Sequence, residues 1–229
     1  MCCIASPEEM WLAVGAGAAA VGLVSQMPSG PGVISENAIA KIASQVPPGV
    51  DSFLLTCTQS AEQIIAQHGR CKTSVIQICD HLTNGSYDEL RRALPGVRLV
   101  QVVHVVGEGS VAEAVSVAAH VDAVLLDSGR PKAAVKELGG TGRVHDWAIS
   151  KKIREELGVP LFLAGGLKAE NVANAIRQVG PFAVDVCSGV RTDGRLHAMK
   201  LKQFMHEVAR ISDDTTYPFA ARETNPAAI

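Results

Sequence analysis

The sequence predicts an α/β fold, a (β/α)8 TIM barrel with a shortened first strand, and three observations carry that prediction. Short apolar runs alternate with helical patterns eight times at a spacing of roughly 25 to 30 residues, which suits a barrel of about 250 residues or slightly fewer. The runs read as apolar on both faces, as strands of a parallel sheet covered by helices require. Polar residues fall at the C-terminal ends of many different runs, and a barrel gathers those ends into one mouth. A doubly wound open sheet is the alternative that this last observation disfavours.

Each element has a local reason. The opening MCCIA leaves the first strand almost no length. Ser6-Pro7-Glu8-Glu9 then supplies an N-cap, a proline and an acidic first turn for a helix to about Val14. Ala18 to Val24 reads as a strand and Gln26 to Val33 as a loop. Ser35 caps a helix through Ile39 and Ile42, which Pro47-Pro48-Gly49 ends. A strand from Ser52 to Leu55 leads to a helix from Ser60 that carries Ile64 and Ile65. Val75 to Ile78 is the next strand. After Asn84-Gly85-Ser86 a helix holds Leu90 and Leu94 until Pro95-Gly96 stops it. Arg98 to Val103 is a strand and Val111 to Val117 a helix. Asp122 to Asp127 (DAVLLD) is a strand that delivers Asp127 to its tip. Asp146 caps a helix from Trp147 through Ile149, Ile153 and Leu157. Pro160 to Leu163 and Phe182 to Val186 are the last two strands, followed by helices over Glu170 to Val179 and Leu196 to Ile211. One domain therefore spans 1–211. The stretch 212–229 has no apolar period and is expected to be a poorly ordered tail.

Composition narrows the function classes. The net charge of −2 and an aromatic content of 4% offer neither a basic patch nor a stacking platform for nucleic acid. Leu12 to Val24 is too short to span a bilayer, and Glu8 and Glu9 stand where a signal peptide carries basic residues. A cytoplasmic protein is expected. The 6 cysteines lack CxxC spacing, so neither a disulfide framework nor zinc is indicated, and reduced thiols are expected.

The chemistry gathers around Leu138 to Trp147, LGGTGRVHDW. Gly139, Gly140 and Gly142 let backbone amides approach an anion, and Thr141 adds a hydroxyl donor. Glycine-rich turns also serve backbone geometry alone. Two further glycine loops, AGGL and CSGV, follow the last two strands, where barrels commonly bind phosphate with backbone amides. Gly165, Gly166, Ser188 and Gly189 are therefore candidate phosphate ligands. Asp127 is either a catalytic carboxylate or a turn cap. Cys2 and Cys3 are either inert small side chains or thiols of lowered pKa able to act as a base. Asp185 either faces the mouth or, the favoured reading, is a buried anchor for a neighbouring loop, and His81, His104 and His145 read as solvated loop residues.

The segments LLDS, GGTGRVHDW, FLAGGLKAENVANAI and PFAVDVCSGVRTDG, in this order, resemble the phosphoribosylanthranilate isomerase family of tryptophan biosynthesis. CCIASPEE is similar to that family's opening KICGITNPED, and VIQICD to its VQLHG. The resemblance covers nearly the whole chain to about Ser212. It implies an isomerase that needs no cofactor and converts an aminoaldose phosphate to an aminoketose phosphate. Carried over, Asp127 is the general acid that opens the ribose ring and Cys2 the general base that removes the C2 proton. Gly140 and Gly142, with the AGGL and CSGV loops, would hold the phosphate. The implied partner is a small phosphorylated sugar, with the protein a monomer or homodimer. Several positions depart from the family, among them Asp80 where its glycine would stand and an opening without its lysine and isoleucine. SGPGVIS (Ser29 to Ser35) lacks the arginine of the family's SPRYVS, which contacts the anthranilate carboxylate. Cys79 replaces the histidine of VQLHG, and Gln101 stands where a lysine is expected. A related isomerase of another phosphorylated aminosugar and a non-catalytic phosphosugar-binding barrel are the alternatives.

Overall fold

The computed structural model describes residues 1–212. Seven strands form one parallel sheet in sequence order: β1 (Ala20–Val24), β2 (Asp51–Thr56), β3 (Val75–Ile78), β4 (Arg98–His104), β5 (Ala123–Asp127), β6 (Leu161–Leu163) and β7 (Ala183–Val184). Between and after them run α1 (Pro7–Gly15), α2 (Glu36–Ala43), α3 (Ala61–Cys71), α4 (Tyr87–Ala93), α5 (Gly109–Ala118), α6 (Trp147–Glu156), α7 (Ala169–Val179) and α8 (Ala198–Ser212). All eight expected helices and seven of the eight expected strands are present among the described residues; the opening MCCIA forms no regular strand of the sheet. Ser6, Ser35 and Asp146 cap their helices as predicted, accepting from the amides of Glu9, Ala38 and Ala148.

Strand periodicity divides the core into two layers. Phe53, Leu55, Val100, Val102, Ala123 and Leu125 pack together inside the barrel. Their sequence neighbours Leu99, Val103, Val124 and Leu126 pack outward with the helices. Side chains that alternate between two apolar surroundings explain why these strands look apolar throughout.

The chain's first residues join the two edges of the sheet. The Cys2 amide donates to Val186 O beyond β7 at 2.9 Å. On the other side the Gly22 amide donates to Met1 O at 2.8 Å, and Ile4 donates to Gly22 O at 3.0 Å. A regular parallel ladder would bracket Gly22 with residues two apart, whereas Met1 and Ile4 are three apart, so one residue is bulged. Cys3, at φ 61°, is that residue. The first strand is short, as predicted, but it is held on both sides instead of fraying.

Arg191 secures this segment from behind. Its guanidinium meets both carboxylate oxygens of Glu9 at 2.9 and 3.1 Å and donates to the Cys3 carbonyl. Glu9 also accepts from the Ala5 and Leu196 amides. Leu196, expected to begin the last helix, lies instead in a small antiparallel hairpin, β8 (Arg191–Thr192) and β9 (Arg195–Leu196), and the helix starts at Ala198. The turn at Asp193 and Gly194, both with positive φ, makes the reversal, and Arg191 donates to Gly194 O. Ser212, placed by sequence in the tail, completes α8; the rest of that tail lies outside the described residues. Among the described residues no helix is long and apolar enough to cross a membrane.

Candidate active site

All the parallel strands point their C-terminal ends to one side, where a cavity of about 690 Å³, including its open mouth, lies over the inner core. Cys2, Asp127, Gly140, Gly142, Gly165, Gly166 and Ser188 all line it. Gly189 does not. A Cβ there would stand 2.0 Å from the Leu167 carbonyl oxygen, so the absence of a side chain lets the loop after β7 press on the loop after β6. Its place is packing behind the predicted phosphate loop.

The glycine loops form a chain of close approaches. A Cβ on Gly142 would lie 3.5 Å from Ser188 Oγ, and one on Gly166 would strike the Arg143 backbone at 2.6 Å. A Cβ on Gly140 would strike the Pro31 ring at 2.6 Å. These contacts bring the β5 loop against the loops after β1, β6 and β7, with Gly142 and Ser188 side by side at one wall. The β5 loop is tied down further. Lys136 reaches the buried carboxylate of Asp80 at 2.5 Å, and Ser29 Oγ donates to Lys136 O at 2.6 Å. Ser128 and Thr141 hydroxyls meet at 2.9 Å across its base.

Asp127 sits at the tip of β5, where the register places it beside His104. Its Oδ1 accepts from the Ser128 amide at 2.7 Å. Gly139, at φ 133°, lies over the other oxygen: a Cβ there would be 2.6 Å from Oδ2. Burial pushes the carboxyl pKa up to about 7, and the nearby Asp185 charge adds to the rise. A carboxyl so poised is about half protonated at neutral pH, where an ordinary carboxyl has lost its proton.

Asp185 corrects the sequence reading. It lines the cavity, and its partner is the terminal amino group of Met1 at 3.6 Å rather than a loop. Burial raises it to about 6. Two of the three histidines also differ from expectation. His104 is buried, with Nε2 3.1 Å from Cys79 O. His145 has both ring nitrogens enclosed and unpartnered, and burial lowers it to about 4, so it is neutral. Only His81 is solvated, 3.9 Å from Glu113.

Three thiols converge opposite Asp127. Cys3 and Cys187 Sγ are 2.8 Å apart, and Cys2 and Cys3 Sγ 3.5 Å apart. Hydrogen bonds with Cys2 and then Cys3 stabilise the Cys187 thiolate and draw its pKa down to about 4, helped by the Arg191 charge. The same contact with Cys187 pushes Cys2 up to about 12 and Cys3 up as well. Nothing in the sequence around Cys187 marks it as part of the site. Its proximity to Cys3, 184 residues away, follows from the pairing of the first and last strands, which a barrel requires.

The cavity wall contains two carboxylates and no lysine or arginine among the described residues. Arg143 is turned away to pair with Glu137. Gln101 faces the helix layer, accepting from the Tyr87 hydroxyl at 2.8 Å. Anion recognition in this mouth therefore falls to backbone amides and hydroxyls.

A family model described as N-(5'phosphoribosyl)anthranilate (PRA) isomerase matches residues 1–207. An N-(5'-phosphoribosyl)anthranilate isomerase of Methanosarcina mazei is 33% identical over 221 residues, covering 91% of this chain and 93% of its own. A phosphoribosylanthranilate isomerase from Thermotoga maritima, solved as monomers generated from a dimeric enzyme, superposes with a TM-score of 0.74 at 25% identity, covering 91% of this chain and 96% of that one. A phosphoribosyl anthranilate isomerase solved with reduced 1-(o-carboxyphenylamino)-1-deoxyribulose 5-phosphate gives 0.73 at 26% identity, over 91% and 96% of the two chains.

Proposed function

The chain belongs to the N-(5'-phosphoribosyl)anthranilate isomerase family, and we propose that it converts N-(5-phosphoribosyl)anthranilate to the 1-deoxyribulose phosphate by general acid–base catalysis. The observation that carries this reading is Asp127: a buried carboxyl raised to about 7, at a strand tip, facing a cavity that also holds Cys2. Protonating an ether oxygen requires an acid that still holds its proton at neutral pH, and burial provides one. With Asp127 at the ring oxygen, the C1–O bond opens to a Schiff base. Cys2 then takes the C2 proton when the negative charge shared by the three adjoining thiols rests on its own sulfur. The enolamine tautomerises to the ketone.

Gly142, Gly165, Gly166 and Ser188 hold the phosphate in this reading, and Gly140 keeps the β5 loop closed over it. The phosphate dianion meets amide dipoles in place of a cationic side chain. The substrate is a small phosphorylated sugar, the compartment the cytoplasm, and the assembly a monomer or a homodimer, as in the dimeric Thermotoga relative. Sedimentation velocity separates those two assemblies.

The decisive assay follows loss of anthranilate-type fluorescence from freshly made phosphoribosylanthranilate. Turnover by the native protein, lowered at least about a thousandfold in Asp127→Asn, is the expected result. Turnover unchanged in that variant would remove the mechanism. The absence of a cation from the cavity favours one second reading, an isomerase whose aminosugar carries no carboxylate. Turnover of such a phosphorylated aminosugar in preference to phosphoribosylanthranilate would support it.

A further inference from the structure

The three thiols do more than a single base requires. One sulfur carries the C2 proton, yet Cys3 is in contact with Cys2 on one side and with Cys187 on the other. Cys3 also occupies, at φ 61°, a backbone region in which a side chain is strained and glycine is favoured. All three thiols line the solvent-open cavity, so a small solute that enters the mouth meets them. Their spacing argues against a metal. Two thiolates on one tetrahedral zinc lie about 3.8 Å apart, given Zn–S bonds of about 2.3 Å, whereas Cys3 and Cys187 are closer, at 2.8 Å. Such an approach suits a sulfur–sulfur bond. Pairing Cys2 with Cys3 is disfavoured, because consecutive Cα atoms are about 3.8 Å apart and disulfides ordinarily need at least about 4.4 Å. The Cys2 amide donates to Val186 O at 2.9 Å, so the segments that carry Cys3 and Cys187 run side by side.

We propose that Cys3 and Cys187 form an oxidative modification site: hydrogen peroxide entering the mouth converts them to a disulfide across the seam of the barrel. The Cys187 thiolate attacks one peroxide oxygen; the O–O bond breaks, an S–O bond forms, and hydroxide leaves. Sulfur is oxidised by two electrons to a sulfenic acid and the peroxide is reduced. Cys3 then attacks that sulfur as its own proton departs; the S–S bond forms, the S–O bond breaks, and water leaves. Two thiols and one peroxide thus become one disulfide and two waters after proton exchange. The bond takes from Cys2 the hydrogen-bonding thiol of Cys3, 3.5 Å away, and the Cys187 thiol that shares its charge, and so changes the base. Loss of turnover is therefore the consequence, and this consequence rests on the isomerase reading, whereas the cross-link itself does not. A thiol reductant restores both sulfurs.

The test uses the full chain, reduced, freed of reductant and treated with about one equivalent of hydrogen peroxide before alkylation and tryptic digestion. The expected product joins the peptide of residues 1–41 to that of residues 178–191, with fragmentation placing the bond at Cys3. Turnover of phosphoribosylanthranilate falls at least about tenfold in step with the cross-link and returns with dithiothreitol. Cys3→Gly, which suits the positive φ, and Cys187→Ser both yield no such peptide pair while keeping the circular dichroism of the native chain. Six alkylated thiols after peroxide, a bond at Cys2, or a cross-link that leaves turnover unchanged would each overturn the proposal. A cross-link in a protein that never turned over phosphoribosylanthranilate would sink the isomerase reading and leave the modification site standing.

Discussion

Asp127 is held where its charge is unfavourable, and the proposed chemistry uses that. Its pKa of about 7, against an ordinary 3.8, also makes stability depend on pH. Between those values the folded state binds more protons than the unfolded state, so this group's contribution to stability is fullest below about pH 4 and declines until about pH 7. Asp127→Asn is therefore expected to melt at a higher temperature than the native chain at pH 8, an advantage that shrinks at pH 4, while losing turnover. Differential scanning calorimetry at the two pH values checks this. The acid must enter the reaction protonated, so kcat/KM should fall tenfold per pH unit above about pH 7. A profile still flat at pH 9 would assign the acid elsewhere. Asp127 was legible in the sequence because a strand ending in a carboxylate before a glycine loop is a local pattern. Asp185 and His145 were misread because their burial depends on Met1 and on the β5 loop, which no neighbouring residue reveals.

At the scale of elements, the loops and the first strand are positioned by contacts that replace side chains with backbone. Gly189→Ala would drive a methyl into Leu167 O, where only backbone can yield. Displacing Ser188 this way is expected to raise KM for the phosphorylated substrate by roughly tenfold, with kcat less affected, in steady-state kinetics. The Glu9–Arg191 clasp works from the other side, with side chains only 16% and 7% exposed. Glu9→Gln leaves the guanidinium half-paired in a buried place, and a loss of about 3 kcal/mol in urea unfolding is expected. An unchanged midpoint would show that the hairpin holds the first strand without it. Helices and strands were readable because caps, prolines and apolar runs are local signals. The β8–β9 hairpin was not, since its reason is the Arg191 side chain reaching back to residues near the opposite end of the chain.

The whole molecule separates its tasks between two faces. Asp51 and Arg98 pair at the beginnings of β2 and β4, away from the mouth. Both are partly exposed, so Arg98→Ala should shift stability by under about 1 kcal/mol and leave kcat/KM within about twofold. A large kinetic effect would mean that the two faces are coupled. Topology also orders assembly in time. Met1 to Ile4 is made before any of the seven strands, but one of its two neighbours ends at Val186, among the last parts of the barrel to be made. Seven strands can pair in sequence while that opening segment waits with one side unfilled. The thiol assigned as the base is thus made before every strand of the sheet and placed only after the last of them, so a nascent chain stays inert until its barrel closes.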